Sequence, residues 1–165
     1  MNEPLWMVEA RKHVGLREIK GAKHAPQILK WWSAIRAPFT DDETPWCAGF
    51  VGGVLEACNI KSSRSAAARS YLKWGIALER PIPGCIVVFW RGLPSSASGH
   101  VAFVAGLDRK GRLMCVGGNQ ADAVTMAPFA VDRVLGYRWP AGVDVVRNAP
   151  MPVIASDAAS SSNEA

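Results

Sequence analysis

The spacing of apolar positions changes partway along the chain, and the kind of element it predicts changes with it. Leu5, Trp6, Val8 and Ala10 within residues 4–15 read as a first helix, with Gly15 near its end. Residues 15–24 read as a loop. Residues 25–35 give a second helix whose Pro26 falls in the first turn, where a missing N–H costs little. Residues 36–45 are polar, bounded by prolines and turn-like. The next stretch, 46–59, is apolar nearly all round and ends at Asn59, the pattern of a buried helix. Its Gly49, Gly52 and Gly53 each cost up to about 1 kcal/mol against Ala in a helix. They make sense if another backbone packs closely there. Residues 65–75 predict a fourth helix with Ser65 as N-cap and Gly75 as stop.

From residue 85 the pattern is that of strands. Residues 85–90 are β-branched and aromatic and follow the turn pair Pro83-Gly84. Residues 100–108 alternate, turn at 109–112 and return as 112–118, a hairpin. Residues 123–129 and 134–139 add two more strands, the first ending near Pro128. Helices first and an antiparallel sheet afterwards make an α+β domain, with the N-terminal helices packed on the sheet. It is expected to occupy residues 1–147. Residues 148–165, rich in Pro, Ala and Ser, are expected to be a disordered tail.

At 165 residues the chain is about one domain long, enough to bury a core without metal or disulfide. The net charge of +5 suggests an anionic partner. The positive residues are scattered in short groups such as Arg109, Lys110 and Arg112, with no aromatic-rich RNA signature, so no nucleic acid is expected. Four cysteines show no CxxC or zinc spacing with the three histidines, so neither metal nor cofactor is expected. Glu3, Pro4 and Glu9 interrupt the first dozen residues, which do not read as a signal peptide, and no apolar run is long enough to span a membrane. The expectation is synthesis in the cytoplasm, as a monomer.

Three of the cysteines, Cys58, Cys85 and Cys115, sit in apolar runs as small hydrophobes. Cys47 differs: it follows Thr44-Pro45-Trp46 and opens the buried helix. Unsatisfied N–H groups there favour a thiolate and can hydrogen-bond a developing oxyanion. The plain alternative is a core thiol. His100 opens a strand after the Gly-Ser loop 93–99, where its imidazole suits a general base near neutral pH. His13 and His24, in polar helix or loop context, fit surface histidines better. A Cys–His pair needs a third group to orient the ring. Counting back through the hairpin puts Asn119 about opposite His100, and Gln120 is the alternative. A turn asparagine after Gly-Gly is the plain reading of Asn119.

Residues 45–51, 99–104 and 117–120 together resemble the CHAP and NlpC-type cysteine peptidases of bacterial cell-wall metabolism, more narrowly a small phage- and prophage-associated subgroup. The resemblance runs from about Leu5 to Trp139. It implies a papain-like fold and a Cys–His–polar triad that hydrolyses peptidoglycan amide bonds. Carried over by position, the triad is Cys47, His100 and Asn119. Many CHAP members have an acidic residue near the third position, where this chain has Gly117. Trp46, Trp90, Glu18 and Gln120 are the substrate-groove candidates, with Glu18 facing a free amine of the stem peptide or simply solvent. A phage endolysin or prophage-type lysin is the expected role, reaching the cell wall by a route other than a signal peptide. An antibacterial toxin with an immunity or inhibitor protein, or a non-catalytic wall-binding module, are the competing readings.

Overall fold

A computed structural model describes residues 3–21, 23–156 and 158–161. Three helices come first: α1 (Leu5–Arg11), α2 (Pro26–Ala34) and α3 (Cys47–Ala57). Pro26 stands in the first turn of α2, as its missing N–H favours. Six strands follow: β1 (Ile76–Leu78), β2 (Ile86–Trp90), β3 (Gly99–Leu107), β4 (Leu113–Gln120), β5 (Ala123–Phe129) and β6 (Val134–Trp139). They form one sheet in the order β1-β6-β2-β3-β4-β5, and every pairing is antiparallel.

Helix α3 is the hinge of the architecture. Residues 47–55 are all buried, and the helix packs on α1, α2, β3 and β4. Its glycines do admit close neighbours, but these are side chains, chiefly of α2 and its C-cap Ile35, and not a backbone. A Cβ on Gly52 would lie 2.5 Å from Ile35, one on Gly49 would lie 3.1 Å from Trp32, and one on Gly53 would overlap Trp31. The large aromatics of α2 thus sit where the helix has no side chains, which draws the two helices together.

Two expectations change. The segment around residues 65–75 is a 3-10 helix (Ala68–Lys73) and not an α-helix. Ser65 Oγ accepts the Ala67 N–H at 3.1 Å, a local turn that leaves Ala67 extended and delays the helix start. A three-residue repeat then suffices to bury Ala68 and Tyr71 on one side. The short β1 follows directly and pairs with β6.

The described part of the C-terminal segment is docked and not disordered. Leu107 donates its N–H to the Pro152 carbonyl at 2.9 Å and accepts the Ile154 N–H at 2.7 Å. Arg112 reaches the Ala158 carbonyl at 2.7 Å. The reason lies in Met151 and Ile154, which pack against the core, so the composition hid a short apolar anchor.

Candidate functional site

The approach to α3 is set by two aspartates. Asp41 accepts the N–H groups of Glu43 and Thr44 at 2.9 and 2.6 Å and folds the loop into the helix start. Asp42 is fully buried and accepts the N–H groups of Ile19 and Ala25 at 2.7 and 2.8 Å, with His24 at 3.0 Å. Burial alone would raise its carboxyl, but these hydrogen bonds together hold it below the usual range. Pro45 and Trp46 then lead into Cys47, the first residue of α3 and 5 % exposed. The first N–H groups of a helix have no carbonyl one turn earlier to bond to, and Cys47 opens α3 at that end. The other three thiols are all pushed up by burial, Cys85 to about 12.

Trp46 is not a groove surface. It is fully buried, stacked on Trp31 with ring centres 6.0 Å apart, and donates its indole N–H to Glu18 at 2.7 Å. Glu18, half-buried, is therefore held by the fold. Burial foremost, then the charges of Asp122, Asp42 and Glu43, raise its carboxyl, while the Trp46 hydrogen bond opposes the rise. Through its backbone N–H it also holds the Asp122 carbonyl at 3.0 Å. One residue thus ties the start of α3 to the turn between β4 and β5.

His100 is fully buried in β3, opposite Phe89 on β2. Its ring lies nearly parallel to Phe89 and Phe129, at 6.2 and 5.3 Å. Its Nε2 is 3.0 Å from Gln120 Oε1. The Gln120 amide is itself fixed, because Nε2 donates to the Thr125 carbonyl at 2.9 Å and meets Thr125 Oγ1 at 2.8 Å. A carbonyl only accepts, so the glutamine nitrogen must face Thr125 and its oxygen must face the histidine. His100 Nε2 is accordingly the donor, and in the neutral ring Nδ1 is left as the basic nitrogen.

The expected Asn119–His100 contact does not form. Neither amide atom of Asn119 has a hydrogen-bond partner among the described residues. The cause is a bulge. Between Gly117 and Gln120 the β4–β5 register shifts, and Asn119 takes φ of +57°. One extra residue reverses which side chains face which side, so Gln120 comes to His100 where regular alternation would have brought Asn119. Gly118 packs against the start of α3: a Cβ there would lie 2.5 Å from Phe50 Cβ and 2.7 Å from the Trp46 ring. The strand segment that orients His100 and the helix turn that carries Cys47 meet at this glycine.

Past Gln120 the chain reverses through Ala121 and Asp122, both left-handed at φ of +53° and +60°. That conformation costs an alanine about 1–2 kcal/mol. Residues 15–18 hold the turn, with Leu16 accepting the Val124 N–H at 2.8 Å and Gly15 donating to Val124 at 2.9 Å. Trp90, half-buried, lies across from Gly99; its indole reaches the Asp132 carbonyl at 3.3 Å and the Arg133 guanidinium stands 5.9 Å from its ring. The loop before His100 is pinned by Arg69, which donates to the carbonyls of Ser98, Pro94 and Leu93 at 2.8, 2.9 and 3.2 Å.

A cavity of about 1050 Å³ lies elsewhere, lined by Trp6, Ile82, Trp139 and Met151 among others, and none of the site residues reaches it. Its walls are mostly apolar, with Glu3, Arg11, Cys58 and Asp144 among them. Among the described residues no helix is long and apolar enough to cross a membrane, and no cluster of three His, Cys, Asp or Glu is placed to hold a metal ion.

Residues 39–119 match the CHAP domain family. No curated protein sequence matches the chain. Among solved structures, a protein similar to a lipoprotein of the NLP/P60 family from Staphylococcus aureus subsp. aureus Mu50 aligns with a TM-score of 0.51 and 17% identity. The alignment covers 84% of this chain and 41% of that one, so this chain spans about two-fifths of its length. At that identity the likeness is one of fold, a papain-like α+β arrangement of helices and antiparallel sheet.

Proposed function

We propose that this chain, whose residues 39–119 match the CHAP domain family, hydrolyses an amide bond of the cell-wall peptide with Cys47 as nucleophile and His100 as base. The observation that carries this reading is the Thr125–Gln120–His100 relay, which leaves Nδ1 as the basic nitrogen of the ring. Gln120, in place of Asn119, is the orienting third member.

The steps follow from these groups. His100 takes the Cys47 proton, and the thiolate sulfur attacks the carbonyl carbon of the peptide. The Cys47 N–H, at the positive end of α3, stabilises the oxyanion. The C–N bond breaks as His100 returns its proton to the leaving amine, giving a thioester. Water, deprotonated by His100, then releases the acid and restores the thiol. Trp90, on the rim beside the start of β3, is the remaining aromatic groove candidate. Trp46, buried, supports the helix start with Glu18 bonded to its indole.

Mass spectrometry of fragments released from purified sacculi tests the reading. Wild type releases new muropeptides and Cys47→Ala releases none. Equal digestion by the two proteins removes Cys47 from the chemistry.

A further inference from the structure

The relay to His100 accounts for Gln120 and leaves its neighbour unexplained. Asn119 is 1 % exposed, and neither its Nδ2 nor its Oδ1 has a hydrogen-bond partner among the described residues. Leaving a buried amide unpaired is costly, and native proteins do so rarely. The backbone at this point is also left-handed, in a bulge that frees Asn119 from the sheet ladder. Such strain persists where surrounding structure imposes it, and it gathers at sites that bind or react. The surroundings here are informative. On one side Gly118 lies against Trp46 and Phe50 at the head of α3, and on the other Gln120 holds His100. In the chain Asn119 thus stands between the glycine that meets the nucleophile's helix and the residue that orients the base.

A carboxamide has one donating and one accepting end, the complement of a peptide unit. We propose that Asn119 is a substrate-positioning residue that pairs with one peptide unit of the bound cell-wall peptide, Nδ2–H to its carbonyl and Oδ1 from its N–H. This rests on the cleavage reading above but assigns a different task from orienting the histidine, which Gln120 already performs. It also accounts for both ends of the side chain at once, whereas a ring-orienting role would use only one.

The test separates the two tasks and the two readings. The first measurement is binding of a soluble stem peptide to Cys47→Ala protein by calorimetry, with and without Asn119→Leu. The second is modification of Cys47 by methyl methanethiosulfonate across pH, in otherwise wild-type protein carrying Asn119→Leu or Gln120→Leu. The expected result is binding weakened roughly tenfold to a hundredfold by Asn119→Leu, the scale of two lost hydrogen bonds. The thiol's pH profile stays as in wild type for Asn119→Leu and shifts for Gln120→Leu. Equal binding with and without Asn119→Leu overturns the proposal, as does failure of the Cys47→Ala protein to bind the peptide. A pH profile displaced by Asn119→Leu as far as by Gln120→Leu overturns it too, returning Asn119 to the histidine. Failure of wild type to cleave sacculi while Asn119-dependent binding persists counts against the cleavage reading alone.

Discussion

The two ends of the β3–β4 hairpin are made by the same two strands and are built on opposite lines. At the turn end, Asp108 is buried and fully used. It accepts the N–H groups of Lys110 and Arg112 at 3.0 and 2.8 Å and the Arg112 guanidinium at 2.6 Å. The one left-handed position there is a glycine, Gly111 at φ of +80°, which adopts it without penalty. At the far end the left-handed residues are Asn119, Ala121 and Asp122, and Asn119 is buried with no partner for its amide. Strain of this kind costs on the order of 1–3 kcal/mol per residue. The contrast teaches that sheet and core supply enough stability to hold one end of the hairpin in an unfavourable geometry. That end is where the candidate chemistry sits.

Substitutions at each end should therefore act on different quantities. The largest effect expected is from Gln120→Leu, which removes the acceptor for His100 Nε2–H. It should lower kcat/KM roughly tenfold to a hundredfold. The acid limb of the pH–rate profile should move to lower pH, because the imidazolium loses a stabilising partner. An unchanged rate and profile would show that the relay does not act on the ring.

Asp108→Ala comes next and should act on stability alone, lowering the thermal midpoint by roughly 5 °C or more while kcat of the folded protein stays the same. Burial would raise the Asp108 carboxyl, but the Arg112 and Lys110 hydrogen bonds outweigh it and hold the group below its ordinary value. A depressed carboxylate contributes stability that is present above the unfolded value, about 3.9, and is lost as pH falls through the folded one. The gap between wild type and Asp108→Ala should accordingly be full at neutral pH and close below about pH 4. A gap that is constant down to pH 2 would assign the effect to packing.

The smallest effect is expected from Glu18→Gln, which keeps an acceptor for the Trp46 indole. The Glu18 carboxyl is raised by burial, so its charged form carries a cost at pH above the folded value and none below the ordinary value near 4.3. Glu18→Gln should raise the thermal midpoint at pH 7 by no more than about 2 °C and change nothing near pH 4. Thermal melts at the two pH values decide it, and a marked loss at pH 7 would mean that the charge itself is needed.

Most of the fold was legible because its elements follow strong local rules. The all-apolar run of α3 required burial, Pro26 opened α2, and the β-branched run 85–90, the alternating run 100–108 and the stretches after it became β2 to β6. What the sequence hid depends on tertiary partners. The three-residue β1 is too short to show a period, and the anchor of Met151 and Ile154 was masked by the Pro, Ala and Ser around it. Cys47 and His100 could be singled out from their positions at element starts. The expectation of Asn119 ahead of Gln120 as the partner of His100 failed, because the outcome turns on a bulge that reverses the alternation within one residue. The burial of Trp46 was likewise invisible, since its stack on Trp31 joins segments that are separate in the chain.

On the proposed mechanism the His100 imidazole activates the Cys47 thiol. The rate of iodoacetamide labelling at Cys47, followed by peptide mass spectrometry from pH 5 to pH 9 in wild type and His100→Ala, measures this without any substrate. Cys47 should label ahead of the other three cysteines in wild type, and near pH 6 at least roughly tenfold faster than in His100→Ala. Superimposable curves for the two proteins, both rising only near the ordinary thiol value of about 8.5, would contradict it.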